Sequence, residues 1–348
     1  MTTPALDERR REVLRQLIDL HIETGEPVGS ESLARVLNRA VSPATLRNIM
    51  ADLEELGYLN HPHTSAGRRP TDEGYRLYVD ALMDPRPLAP GAASAIASEL
   101  RDVSPGQVLE KASHILSRLS GNVGFVLAPD FEKATFRHLD LVRLSHPRIL
   151  VVMVSQTGIV TNKVVEVEER LSQDQLQACA NYLNTHFAGL SLAHIRARLL
   201  EIMSGERTLY DSLLKSVIAL GDRAFSSGPE DKEVVYLGGT SNMLDPKVFE
   251  DLDRMKALFK AFEEKSRLVR ILNACLAGDG LRIVIGRENP DPDLRDTSLV
   301  TASYPLEGEG GSFGLGVLGS TRMEYASAVS LVDHVARAVS LALREMRP

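Results

Sequence analysis

Cysteine is scarce in this 348-residue chain: Cys179 and Cys275 are the only two, each in an apolar, helix-patterned stretch with no second Cys or His cluster nearby. That leaves neither a disulfide framework nor a thiolate metal site, and each reads as a small core residue. Long apolar runs are missing as well. No stretch of about 18 uninterrupted apolar residues, the length that spans a bilayer, occurs. Met1 to Arg15 carries arginines but no apolar signal core, so no secretory segment is expected and the cytoplasm is the expected compartment. Nor is there an excess of positive charge. Forty Lys and Arg against 47 Asp and Glu give a net charge of -7, which argues against indiscriminate coating of nucleic acid, since that depends on neutralising phosphates. Any nucleic-acid recognition must be local. Finally, G-x-S-x-G, H-E-x-x-H and P-loop signatures are lacking, so no enzyme, no cofactor and no metal are expected.

What is present exceeds one ordinary core of roughly 100 to 200 residues, so two or three domains are expected. From Asp7 to Glu23, Val13, Leu14, Leu17, Ile18, Leu20 and Ile22 recur mostly at helical spacing, with Arg9, Arg10, Arg11 and Arg15 on the other faces. Gly25, Pro27 and Gly29 break the pattern, and Ser30 reads as the N-cap of a short second helix carrying Leu33, Ala34 and Leu37. A turn follows near Asn38 to Val41.

The third element is the most informative. Ser42-Pro43 places a capping hydroxyl before a proline at the first helical position, Leu46, Ile49, Met50, Leu53 and Leu56 form one apolar stripe, and Gly57 closes the helix. With that stripe inward, Ala44, Thr45, Arg47, Asn48 and Ala51 point outward near the end that enters a major groove in helix-turn-helix proteins. Asn pairs bidentately with adenine, Arg with guanine, and Ala or a Thr methyl packs on a thymine methyl. Ser42 and the following amides suit a backbone phosphate. The repulsive Asp52, Glu54 and Glu55 sit in the C-terminal half.

Tyr58-Leu59-Asn60 then reads as a strand, and His61 to Arg69 as a turn holding Pro62, Gly67 and the pair Arg68-Arg69. Taken alone this is an ordinary solvated hairpin. Directly after a helix-turn-helix it becomes a basic wing, with Arg68, Arg69 and His63 beside the DNA backbone or minor groove. His61 and His63 lack partners at metal-ligand spacing and read as loop residues near phosphate. Thr71-Asp72-Glu73 starts another helix, and Asp84 to Pro90 reads as a linker.

The strings EPVGS (Glu26 to Ser30), VSPATLRNIMADLEELGYL (Val41 to Leu59) and PHTSAGRRPTDEGYRLYVD (Pro62 to Asp80) resemble the signature blocks of the HrcA repressors. ENPDPDLRDTSLVTASY (Glu288 to Tyr304) and GVLGSTRMEYASAVSLVDHVARAVS (Gly316 to Ser340) are similar to the family's other shared segments. Arg69 stands where an aliphatic residue is expected and Glu324 where Asp or Asn is usual. The resemblance implies an α+β, multidomain fold: a winged helix-turn-helix at 1-84, a linker at 85-90, a GAF-like domain at 91-169 and 266-348, and a mostly helical dimerisation insert at 170-265. It further implies a homodimer on double-stranded operator DNA, an inverted repeat of the CIRCE type upstream of chaperone operons, relieved on heat shock and modulated by the GroE chaperonin.

Beyond the first domain, Pro90 to Leu119 reads as helix. Val123 to Ala128, Phe136 to Leu144, Ile149 to Val154 and Ile159 to Val167 read as strands of one sheet. Helices follow from Ser172 to Phe225 and from Pro246 to Ala277, with a short strand at Val234 to Leu237 between them. Strands are expected at Leu281 to Ile285, Ser298 to Tyr304 and Phe313 to Leu318, and a terminal amphipathic helix at Tyr325 to Arg344. Gly314-Leu315-Gly316-Val317-Leu318-Gly319 matches G-x-G-x-x-G, but the alternation of Phe313, Leu315 and Val317 makes it a strand, whereas a dinucleotide fingerprint lies in the turn after one. Glu307 to Gly311 reads as the hairpin turn before it. The competing reading from another class is a small-molecule sensor or protein-interaction adaptor whose winged helix does not contact DNA.

Overall fold

The computed structural model describes residues 6-61, 67-84, 86-128, 135-156, 158-192, 194-195, 197-199, 220-221, 223-225, 235-244, 264-276, 280-305 and 312-345. Among these, the chain opens with α1 (Glu8–Thr24), α2 (Ser30–Val36) and α3 (Pro43–Glu55), whose inward stripes meet in a shared core of Leu14, Leu17, Ile18, Leu33, Leu46 and Leu53. The strands β1 (Leu59–Asn60) and β2 (Arg69–Pro70) pair antiparallel, so the wing is present; residues 62-66, the expected hairpin tip with His63, lie outside the described residues. The helix α4 (Asp72–Leu77) follows, running into a π-helical turn at Tyr78–Leu82. Gly74 is required where α4 crosses β1, because a Cβ there would overlap the Tyr58 carbonyl. One expected cap shifts: Gly29 in extended backbone, not Ser30, is the N-cap of α2, and Ser30 is its first helical residue.

The stretch expected as one helix from Pro90 is two, α5 (Ala92–Glu99) and α6 (Pro105–Ser120). Asp102 takes a left-handed φ of 58° between them, and Ser104-Pro105 starts α6 afresh, the Ser104 N–H donating to Gln107 Oε1 at 3.0 Å. A five-stranded antiparallel sheet comes next, built from β3 (Val123–Leu127), β7 (Val235–Gly238), β8 (Gly280–Ile285), β9 (Thr297–Pro305) and β10 (Ser312–Ser320) in the spatial order β7-β3-β10-β9-β8. Odd-numbered residues of β10, Phe313, Leu315 and Val317, face the layer of α6 and α9 (Tyr325–Glu345), in register with Tyr304, Ala302 and Val300 of β9. Leu318, Leu299, Phe125 and Val123 face α8 (Lys265–Cys275) on the other side. The α9 helix is long and apolar enough by composition to cross a membrane; here Leu331, Val332, Val335 and Val339 are buried in the α6–sheet core.

The glycines of the G-x-G-x-x-G match are accounted for by packing. All three lie within β10. A Cβ at Gly314 would overlap the Leu276 side chain, one at Gly316 the Val300 carbonyl, and one at Gly319 the Asn122 amide. The expected hairpin turn at Glu307 to Gly311 lies outside the described residues, but β9 and β10 pair antiparallel around it.

The sheet does not contain every strand that the hydrophobic pattern assigned to it. The strands β4 (Phe136–Ser145), β5 (Arg148–Ser155) and β6 (Val160–Glu166) form a separate three-stranded antiparallel sheet with its own core, packed on α7 (Gln173–Phe187) through Leu139, Val151, Met153, Cys179, Leu183 and Phe187. Since β3 and β7 are adjacent in the main sheet, the insertion occupies the connection between them. It starts with β4 rather than at residue 170, and β7 with the 3-10 turn Thr240–Leu244 already belongs to the main sheet domain. Alternation identifies a strand but carries no information about its partner. Both cysteines are buried and free; burial pushes the Cys179 thiol up to about 11 and raises Cys275 as well, as expected of core residues.

Replacing Gly316 by alanine should advance the urea midpoint by an amount equivalent to about 1 to 3 kcal/mol of overpacking. An unchanged midpoint would show that the strands have room to move apart.

Candidate nucleic-acid interface

The turn between α2 and α3 sets the third helix at an angle to the second. Asn38 and Arg39 both take left-handed φ, 51° and 56°, a conformation that Asn tolerates and Arg rarely adopts. The Arg39 N–H donates to the Ala34 carbonyl at 2.7 Å, closing α2, and the Arg39 side chain is exposed beside the start of α3. Ser42 then caps α3: its Oγ accepts from the Thr45 N–H at 3.1 Å and lies 2.9 Å from Thr45 Oγ1, with Pro43 at the first helical position. Leu46, Ile49, Met50 and Leu53 are buried, whereas Ser42, Ala44, Arg47, Asn48 and Ala51 are exposed and Thr45 is half-buried. Positions 44, 47, 48 and 51 follow the helical i, i+3, i+4, i+7 pattern, so they share one face. Among the described residues, neither Arg39 nor Arg47 forms an ion pair.

The acidic end of α3 is neutralised from two sides. Asp52 accepts from Arg10 of α1 at 2.6 Å, and Arg10 also holds Asp7 at 2.7 Å. The hydrogen bond to Asp52, followed by the charge of Asp7, raises the Arg10 pKa above its ordinary value. Glu54 pairs with Arg68 at 2.7 Å. In consequence the wing arginine expected at the DNA backbone is engaged within the head, with its guanidinium on α3. Its main chain bridges Val28 at 2.8 and 2.9 Å, an approach that Gly67 permits because a Cβ there would overlap the Val28 backbone. Arg69 is half-buried, and its charge reaches the buried Tyr75.

The structure therefore brings Ser42, Ala44, Thr45, Arg47 and Asn48 together on one helix end, engages Arg68 with Glu54 and the Val28 backbone, and leaves Arg69 half-buried at the start of β2. His63 lies outside the described residues. Arg39, exposed in the turn four residues before the first helical residue of α3, is a further cation that its residue type did not single out. The available cue was Asn38-Arg39 a few residues before the Ser42-Pro43 cap, which signals a left-handed turn but not where the arginine points. Among the described residues no group of three or more His, Cys, Asp or Glu is arranged to hold a metal.

Comparison with known proteins agrees with this architecture. Residues 5–81 match the family "Winged helix-turn-helix transcription repressor, HrcA DNA-binding", and residues 106–329 match "HrcA protein C terminal domain". The chain is 41% identical over 339 residues to the heat-inducible transcription repressor HrcA of Geobacter sulfurreducens, covering 96% of this chain and 97% of that one. It is 36% identical over 338 residues to that of Desulfitobacterium hafniense, with the same coverage. A solved structure titled as a hypothetical protein at 2.2 Å resolution superposes with a TM-score of 0.65 at 23% identity, covering 98% of this chain and 100% of that one, and shares the fold. With both family segments and near full-length relatives matched, the chain belongs to the HrcA family of heat-inducible transcription repressors.

Proposed function

We propose that the N-terminal half of α3 lies in the major groove of an inverted-repeat operator of the CIRCE type, upstream of chaperone operons, with Arg47 and Asn48 on base edges, and that two copies of the chain bind together. Ala44 and Thr45 pack on thymine methyls. Arg39, Ser42 and the first amides of α3 hold backbone phosphates, where the helix dipole favours negative charge. The observation that carries this reading is the exposed face of Ala44, Arg47 and Asn48, with Arg47 free of ion pairs among the described residues, while Asp52 and Glu54 of the same helix are paired. Arg68 and Arg69 support the wing that would flank the DNA. The repressor works in the cytoplasm, and GroE raises its operator-competent fraction; equal operator binding after refolding with and without chaperonin would contradict that part.

The homodimer draws support from the insertion. The face of its sheet opposite α7 carries an uncovered aliphatic row, Val142, Leu150 and Val164, with Val160 61% exposed two rows away and the polar Asp140 and Asn162 in the row between. Uncovered aliphatics in such a row mark an interaction surface, and a two-fold dimer would present two heads to the two half-sites.

In an anisotropy titration on the operator duplex, Arg47→Ala and Asn48→Ala should each weaken binding by about 1 to 3 kcal/mol, with little change on a scrambled duplex. Unchanged operator affinity in both would remove the assigned reading face. Arg39→Ala should weaken both duplexes and lower the slope of log K against log salt by about 1; an adaptor that does not bind DNA would show no salt-dependent binding at all. Val160→Glu with Val164→Lys should convert the dimer to monomer in sedimentation velocity, and a persisting dimer would place the interface elsewhere.

A further inference from the structure

Three of the segments that carry the family resemblance contribute no residue to the DNA-facing end of α3, yet in the folded chain they meet. Asp72, Tyr75 and Arg76 come from the segment after the wing, Glu288 from the ENPDPDLRD segment, and Tyr325 from the segment that starts α9. Arg76 Nε donates to Glu288 Oε1 at 2.8 Å, its Nη2 bonds the other carboxylate oxygen, and the same nitrogen reaches the Ile283 carbonyl at 2.8 Å. Glu288 is itself held in place, because its Oε2 accepts from the Ile285 N–H at 2.9 Å. Asp72 Oδ2 accepts from the Arg287 N–H at 2.9 Å. This contact needs Gly286, whose φ is +51° and whose absent Cβ leaves the space that the Asp72 carboxylate fills. Behind these polar contacts the buried rings of Tyr75 and Tyr325 lie 5.8 Å apart, and the Tyr325 hydroxyl bonds Thr321 at 2.6 Å.

The turn that receives α4 is rigid on its far side too. The Asn289 amide donates to the carbonyls of Gly286, Leu294 and Thr297 at 2.9 to 3.0 Å, and Arg267 of α8 grips Asp291 and Asp293 at 2.7 Å each. A bidentate Arg–carboxylate pair fixes orientation as well as distance. These contacts exceed what is needed to keep a tethered head nearby, since the 85-90 segment already does that. We infer that α4 is a latch: Asp72 and Arg76, seated on the Gly286–Glu288 turn, hold the winged helix in one orientation on the sheet domain and thereby set the half-site separation that a pair of heads accepts. Arg76 and Glu288 are positioning residues, and the half-site clause rests on the operator reading proposed above.

The test uses the full chain with spin labels at Glu55→Cys on α3 and Leu341→Cys on α9, both exposed positions, diluted with unlabelled protein; both native thiols are buried. Pulsed dipolar spectroscopy should return one narrow distance distribution, and Glu288→Gln or Arg76→Lys should broaden it. The lysine variant keeps the charge and loses the fork, so it serves if Glu288→Gln fails to fold. In parallel, each protein is titrated on duplexes whose half-sites are moved apart by one to five base pairs, up to half a helical turn. The unsubstituted protein should lose at least about tenfold affinity at half a turn, and the latch variants should discriminate less than about threefold while binding a single half-site as before. A broad distribution in the unsubstituted protein, or an unchanged narrow one in the variants, overturns the latch. Label data as expected with no DNA binding at any spacing would leave the latch standing and remove the operator reading.

Discussion

On the operator reading proposed above, helix α3 presents its N-terminal end to a polyanion while carrying Asp52, Glu54 and Glu55 in its C-terminal half. The Arg10–Asp52 and Arg68–Glu54 pairs reconcile the two demands. Neither pair need add much stability, since half-exposed ion pairs are worth little in water. Their effect is on the field, and on the placement of the helix: one arginine reaches across from α1 and the other from the base of the wing, so the charges that screen α3 also tie it to its neighbours. An acidic chain can in this way keep a locally receptive surface without a basic composition.

Placement matters because the head is not an isolated bead. Its core of Leu14, Leu17, Leu46 and Leu53 runs without a break through Tyr75 and Leu82 into Ile285, Tyr325 and the α6–α9 layer. Arg76 and Asp72 supply direction to an interface whose apolar part supplies adhesion. The insertion, by contrast, closes its own core around α7 and leaves a sheet face uncovered. The two ends of the molecule are therefore built differently: one is fixed to the main sheet, and the other is self-contained with a face to spare.

Much of the head was legible because its signals are local. Ser42-Pro43 caps α3, and the spacing of Leu46, Ile49, Met50 and Leu53 fixes which residues face out. The G-x-G-x-x-G match was legible as a strand from the alternation around it, and the packing of Gly314, Gly316 and Gly319 supplies the reason for those glycines. The Ser104-Pro105 start of α6 is the same local signal as Ser42-Pro43, set within the Pro90 to Leu119 stretch whose periodicity alone suggests one helix. What could not be read depended on contacts distant in sequence. The pairing of Arg68 with Glu54 turns a wing cation inward, and β4 to β6 join a second sheet, a choice of partners that a strand pattern does not encode. The meeting of Arg76 with Glu288 spans most of the chain.

The central claim is that paired copies of α3 enter successive major grooves of an inverted repeat. Footprinting of the full-length repressor combined with methylation interference tests it most directly, because N7 of guanine lies in the major groove where an arginine would dock. Two protected blocks on one face of the duplex, centred one helical turn or a multiple of it apart, with N7 methylation blocking binding in each half-site, is the outcome the account predicts. Continuous or absent protection, or binding indifferent to N7 methylation, would contradict it.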